Sequence, residues 1–296
     1  MDWLERMNKA IDYIEENLKG EIDLAQLARI TGFSSFHFQK LFSLMAELPL
    51  GEYVRNRRLA LPAADLQREG AKVLEVALAY GYDSPTAFNR AFKRLHGVSP
   101  RKARSKGVEL KAFPAIAFHI SIKGAVTMNY RIVDRKGFRA VGRRLKTTTV
   151  NGENFRRIPE FWEETTGSAL WPKLLDMCKG ASAATLEHPC GIMGICVVPP
   201  GEGKTEFDYY IAAASGEKVP EGMEELMLPD ATYAVFESVG PIPSAIQELT
   251  KRIYREWLPG SGYELGNAPD IEVYTDGDTR GSDYRSEVWV PVKKKD

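Results

Sequence analysis

The chain is poor in the residues that staple or metallate a protein: three cysteines and four histidines among 296 residues. Cys178, Cys190 and Cys196 make no Cys-x-x-Cys pair, and His37, His96, His119 and His188 are scattered, which excludes a disulfide framework and a zinc-ligand pattern. No apolar run approaches the roughly 20 residues that a membrane-spanning helix needs. A secretory leader is basic and then apolar, whereas Met1-Asp2-Trp3-Leu4-Glu5-Arg6 is amphipathic and charged. The expectation is a soluble, cytoplasmic protein without membrane contact, its thiols acting as small buried groups. No HExxH, P-loop, dinucleotide fingerprint or Ser-His-Asp order is present, so neither a metal nor a cofactor is expected.

Net charge is also missing, 40 basic against 40 acidic residues, but the charges are unevenly distributed along the chain. Residues 1–107 carry 17 Lys and Arg against 13 Asp and Glu, which leaves 23 against 27 for the remainder. Within 55–106 the count is 12 against 4, including Arg55, Arg57, Arg58, Arg90, Lys93, Arg94, Arg101, Lys102, Arg104 and Lys106. Such a segment can meet phosphates, although a charge run by itself is also what a solvated face looks like.

What is present twice gives the basic segment a purpose. Leu24-Ala25-Gln26-Leu27-Ala28 leads to Gly32-Phe33-Ser34, and Val73-Leu74-Glu75-Val76-Ala77 leads to Gly81-Tyr82-Asp83. A short helix follows each glycine, carrying Phe38 and Phe42 in the first copy and Phe88 and Phe92 in the second. Glycine at a tight turn between two short helices is what helix-turn-helix geometry prefers, so the copies predict two DNA-reading helices. Helical spacing of Trp3, Met7, Ile11, Ile14 and Leu18 adds a first helix that stops at Gly20, and Asp23 caps the next.

Spacing also says which side chains face outward. In the first copy Phe38, Leu41 and Phe42 form the inward stripe, leaving Phe36, Gln39 and Lys40 outside. In the second, Thr86, Asn89, Arg90 and Lys93 point outward. Gln and Asn can bond adenine in two places and Arg and Lys suit guanine or phosphate, so both sets have the chemistry of major-groove contact. The competing reading is a helical bundle with ordinary solvated polar residues. A long helix from Tyr53 to Arg68 would join the units and set their separation near one duplex turn, roughly 34 Å. Pro62 inside it is expected to kink or break that helix.

Gly81-Tyr82-Asp83-Ser84, Phe88-Asn89-Arg90-Ala91-Phe92-Lys93 and His96-Gly97-Val98-Ser99-Pro100 together resemble the signature of the AraC/XylS transcriptional regulators. The resemblance covers residues 1 to about 106 and implies base contacts from Phe36, Gln39 and Lys40 and from Thr86, Asn89 and Arg90. Pro62 departs from the family pattern, as does Ala103 before Arg104, where the family usually has an aromatic residue. The implied partners are double-stranded DNA, a small-molecule effector and RNA polymerase.

Beyond Gly107 the periodicity changes. Residues 108–124, with Phe113-Pro114-Ala115-Ile116-Ala117-Phe118-His119-Ile120-Ser121-Ile122, are too apolar for a loose tether and are expected to form a strand-like connector packed on the second domain. In 125–296, Tyr130 to Thr149 with a break at Gly137, Gly191 to Val198 and Glu206 to Ala214 have strand character, with a helix from Pro159 to Cys178. Tyr233 to Val239, Ile271 to Thr275 and Tyr284 to Val292 repeat it, with a helix from Pro243 to Leu258. The expected fold is therefore an all-α tandem helix-turn-helix domain, residues 1–107, followed by an α+β domain of two strand-helix-strand-strand repeats with a groove between the halves. This order, with Gly240-Pro241 and Glu287-Val288-Trp289-Val290-Pro291, resembles the GyrI-like effector-binding domain, and the two parts together resemble the Rob-type architecture.

Alternation sets Glu287 with Trp289 on one face of the last strand, and Glu272 with Tyr274 on one face of the strand before it. A carboxylate beside aromatic rings in a concave site suits a lipophilic cation, and Trp162 on the first helix would be a further wall. The resemblance implies that Glu287 is the pocket glutamate of the final strand. Core packing of Trp162 and Trp289 and a solvated Glu272 are the bland alternatives. Two other readings stand beside sensing: a hydrolase in which Glu287 and a nearby Tyr274 activate water, and a partner-binding module with a filled groove.

Overall fold

The computed structural model describes residues 3–105, 107–119, 127–180, 191–198 and 205–295. Lys106, His188, Cys190 and the end of the expected connector, 120–124, lie outside the described residues. The chain divides into two compact units, Met1–His119 and Ile120–Asp296.

In the first unit, α1 (Trp3–Glu16) buries Trp3, Met7, Ala10, Ile11 and Ile14, the stripe its spacing predicts. Next come α2 (Leu24–Thr31) and α3 (Ser35–Ala46), then α4 (Leu50–Ala60) and α5 (Pro62–Leu66), then α6 (Val73–Ala79), α7 (Pro85–His96) and α8 (Pro100–Ala103). Asp23 caps α2 through the Ala25 amide, at 2.8 Å, and Ser34 and Ser84 cap α3 and α7 through His37 and Ala87. The turn glycines of the two copies have φ of +72° at Gly32 and +77° at Gly81, where a side chain would be strained. Each is also overlaid by an arginine, Arg6 at Gly32 and Arg58 at Gly81, so the repeat extends to the side chains that cover its turns.

The helix expected between the copies is divided. Leu61 keeps right-handed helical angles, and Pro62 opens α5 in its first turn, where a missing N–H costs least. His96 bonds the Leu59 carbonyl through Nε2 at 2.9 Å, beside the interruption. Ala103 is fully buried against the cluster of Leu59, Leu66, Phe88 and Phe92, so a small residue serves as core at this departure from the AraC/XylS pattern.

The connector differs from expectation. Residues 108–119 form no strand and lie on the helical unit. Asn8 holds Phe118 at both backbone groups, donating to its carbonyl at 3.0 Å and accepting from its amide at 2.8 Å. The Ile116 amide donates to the Tyr53 hydroxyl, Arg57 donates to the Phe113 carbonyl, and the Lys111 amide donates to His96 Nδ1. The Phe118 ring meets Phe42, and Phe113 meets Tyr53. Residues 108–119 find their backbone partners in helix side chains instead of a neighbouring strand.

Among the described residues, the second unit contains one nine-stranded antiparallel sheet. Its strands are β1 (Tyr130–Arg135), β2 (Phe138–Thr148), β3 (Gly191–Val197), β4 (Glu206–Ala214), β5 (Glu224–Leu228), β6 (Ala231–Val239), β7 (Tyr263–Leu265), β8 (Asp270–Thr275) and β9 (Arg285–Lys294). The order is β1-β6-β9-β8-β3-β4-β2-β5, with β7 beside the end of β9. β1 runs through Lys136-Gly137 into β2, and β5 through Pro229-Asp230 into β6, yet β1 pairs with β6 and β2 with β5. Strands at opposite ends of the order thus belong to one ribbon, and the sheet curls back on itself. Gly137 makes the junction possible: a Cβ there would lie 2.6 Å from the Leu228 carbonyl oxygen, and its amide donates to Asp230 at 2.7 Å.

The first helical segment is two helices, α9 (Glu153–Thr166) and α10 (Trp171–Gly180), with Pro159 inside α9 and the break at Gly167. In the second repeat α11 (Ser244–Arg252) runs into a π-helical turn, Ile253–Trp257. Arg143 of β2 donates to Thr165 of α9, and Phe236 of β6 meets Trp257. These residues share one sheet face by register, so that face carries the helices. The opposite, inner face holds a core of Ile195, Tyr210, Ala212, Tyr233, Val235, Ile271, Val273 and Trp289.

Candidate DNA-reading and small-molecule sites

On α7, Phe88, Ala91 and Phe92 are buried, and Thr86, Asn89, Arg90 and Lys93 are exposed. The outward set of the second copy therefore stands where spacing puts it, on a rigid helix closed by Gly97 at φ +76°. On α3 the outward expectation fails for two residues. Phe36 and Gln39 are only 3% and 6% exposed, and Lys40 is half-buried. Gln39 turns its amide back to the Ser35 carbonyl at 3.2 Å, and the Phe36 ring meets His37 edge-on at 5.5 Å. An amphipathic stripe gives the minimum that a helix must bury; α3, flanked by aromatics, buries more.

Three residues named from sequence converge on the helix-bearing face of the sheet. Tyr274 of β8 donates to Glu272 Oε2 at 2.7 Å, and the Trp162 indole of α9 meets the Tyr274 ring at 4.9 Å, nearly perpendicular. Trp162 Nε1 donates to the Tyr209 hydroxyl of β4 at 3.0 Å. Burial, then the neighbouring Glu272, raise the pKa of both Tyr209 and Tyr274 well above the ordinary tyrosine range, so both hydroxyls remain protonated donors. Glu272, Tyr274 and Trp162 each keep part of their surface accessible. The cluster spans β3 and β8, the strands where the two repeats meet.

Tyr209 and Gly194 belong to this cluster and escaped the sequence reading. Gly194 of β3 pairs with Glu272 in register, and a Cβ there would lie 2.3 Å from the Tyr209 hydroxyl oxygen. A glycine inside a strand is a signal for such a close approach. The facing strand could not be named without the register.

Glu287 and Trp289 are elsewhere. Val273 lies opposite Glu287 and Ile271 opposite Trp289, so these residues occupy the inner face, while Glu272 and Tyr274 share the other face with Val288 and Ser286. Glu287 is 4% exposed, ion-paired with Arg131 at 2.8 Å and bonded by Trp289 Nε1 at 2.8 Å. Its charge is matched internally by Arg131. Tyr274 and Glu287 therefore do not share a face.

Residues 128–293, more than half of the chain, match the model of the GyrI-like small molecule binding domain. The chain belongs to the GyrI-like family. In this GyrI-like protein, residues 27–106 match a helix-turn-helix domain. The transcriptional activator AarP of Providencia stuartii is 35% identical over 94 residues, 32% of this chain and 70% of AarP. The multiple antibiotic resistance protein MarA of Escherichia coli (strain K12) is 29% identical over 103 residues, 35% of this chain and 81% of MarA. A structure of SAV2435 bound to tetraphenylphosphonium is 25% identical, covers 56% of this chain and 94% of its own, and superposes with a TM-score of 0.48. The GyrI-like chain is a transcriptional regulator that joins an AraC-type DNA-binding helix-turn-helix domain to a small-molecule binding domain. No described helix is long and apolar enough to cross a membrane.

Proposed function

We propose that this regulator reads an asymmetric DNA site in the cytoplasm and responds to a lipophilic cation held at Glu272. Tyr274 orients the carboxylate, and the Trp162 and Tyr274 rings supply apolar and cation-π surface. The aromatic cluster around a partly accessible Glu272 is the observation that carries this reading. Thr86, Asn89, Arg90 and Lys93 make the contacts of the second helix, and Lys40 those of the first. Contacts from Phe36 and Gln39 require their surface to be uncovered on DNA. RNA polymerase is the protein partner in this reading.

Selection of bound sequences by the full chain tests the DNA half. Arg90→Ala is expected to relax preference at one or two positions and Gln39→Ala at positions about ten base pairs away. Uniform weakening by both variants would reduce the interaction to phosphate contact. The Trp162 ring over Tyr274 favours a second reading, a capped site that serves a protein partner. Failure of every lipophilic cation in a panel to bind would support that reading over sensing.

A further inference from the structure

The inner face of the sheet holds a cluster of opposite character to the Glu272 site. Side chains from three adjacent strands meet there: Arg131 and Arg135 from β1, Tyr233 from β6, and Glu287 and Trp289 from β9. Glu287 is committed to Arg131 and to the Trp289 indole. The Arg135 guanidinium lies over the other side of this arrangement, 5.5 Å from the Trp289 ring centre, and Tyr233 packs on the same indole at 5.6 Å. These groups comprise two cations and one carboxylate, and a further buried carboxylate, Asp270, acts on Tyr233.

Two polar atoms in the cluster have no hydrogen-bond partner among the described residues and are out of reach of solvent: Arg135 Nε and the Tyr233 hydroxyl. Tyr233 is 1% exposed. Burial, and secondarily Asp270, push its pKa up, so it is a neutral hydroxyl able to donate. Burial and the neighbouring Arg131 lower the Arg135 pKa, with Glu287 opposing; a guanidinium nevertheless stays charged at neutral pH. A buried arginine Nε and a buried hydroxyl donor left unmatched are costly features to retain. Both groups adjoin the Trp289 indole, whose core cluster also includes Val235, with Val133 packed against it.

We propose that Arg135, Tyr233 and Trp289 form a second ligand site, for a small apolar carboxylate. The carboxylate would take the Arg135 fork and the Tyr233 hydroxyl, and its apolar body would lie on the indole. A monoanion suits this surround better than a phosphate, whose second charge would be desolvated without a matching cation. The site is independent of Glu272, which lies on the opposite face.

Benzoate, its neutral isostere benzamide and inorganic phosphate, titrated into the full chain by calorimetry at fixed ionic strength, test the proposal. Benzoate is expected to bind and the other two to bind at least tenfold more weakly. Arg135→Gln is expected to weaken benzoate at least tenfold, Tyr233→Phe several-fold, and Glu272→Gln not at all. Arg135→Lys, which keeps the charge and loses the fork, should also weaken it; unchanged circular dichroism and cooperative melting show that the variants fold. Equal binding of benzoate and benzamide, benzoate binding that survives Arg135→Gln, or no benzoate binding at millimolar concentration would overturn it.

Discussion

Glu272 and Glu287 sit on neighbouring strands and have opposite electrostatic surroundings. Glu287 is enclosed and answered by Arg131, so removing it leaves a partly buried arginine without its counter-charge. Glu287→Ala is expected to destabilise the second unit by about 3 kcal/mol, measured by urea unfolding. The turn glycines offer a backbone counterpart: Gly81→Ala forces a Cβ into φ +77° and should cost about 1–2 kcal/mol, readable in the same measurement. Both glycines were legible in the sequence because a tight turn between short helices makes one demand of its residue. The pairing of Glu272 with Tyr274 was legible from alternation. Which face carries helices was not, since that follows from strand order and from where α9 returns. Glu287 likewise has an aromatic beside it in sequence, Trp289, whose indole N–H satisfies the carboxylate inside the fold.

At the scale of elements, the two copies are tied to α1 and to the connector through α4. Tyr53 and Arg57 both donate to Glu15, with Tyr53 to Oε1 and Arg57 to both oxygens, and the same side chains hold the Ile116 amide and the Phe113 carbonyl. Burial alone would raise the Glu15 pKa; hydrogen bonds from Arg57 and Tyr53 outweigh it, and the folded pKa lies below the ordinary value. A carboxyl group with a lowered folded pKa contributes stability above its unfolded pKa, about 4.3, and loses it as pH falls through the folded value. Acid unfolding of the first unit should therefore steepen below about pH 4.3, and Glu15→Gln should flatten that dependence while lowering stability at pH 7. An unchanged profile would show that this triad does not carry the acid sensitivity. The same variant should speed proteolysis within residues 108–119, whose anchors it loosens. The segment is apolar, but its partners include side chains more than 50 positions away, such as Tyr53 to Ile116, and no local pattern specifies them.

For the whole molecule, recognition and sensing must be coupled by a difference in affinity: a ligand changes DNA binding only if it binds two arrangements of the chain unequally. The DNA half makes a separable prediction. Lys93→Ala should weaken all sequences alike and reduce the salt dependence by about one ion, whereas Arg90→Ala should discriminate among sequences by about 1–3 kcal/mol at the position it reads. Filter binding across salt concentrations distinguishes the two. The small-molecule half rests on the claim that Glu272, and not Glu287, is the carboxylate a cation meets. Calorimetric titration of the full chain with tetraphenylphosphonium, comparing wild type with Glu272→Gln and Glu287→Gln, tests this most directly. A loss of about 10- to 100-fold in affinity with Glu272→Gln, and little change with Glu287→Gln once folding is verified, is the expected result. Full affinity in Glu272→Gln, with loss confined to folded Glu287→Gln, would contradict it.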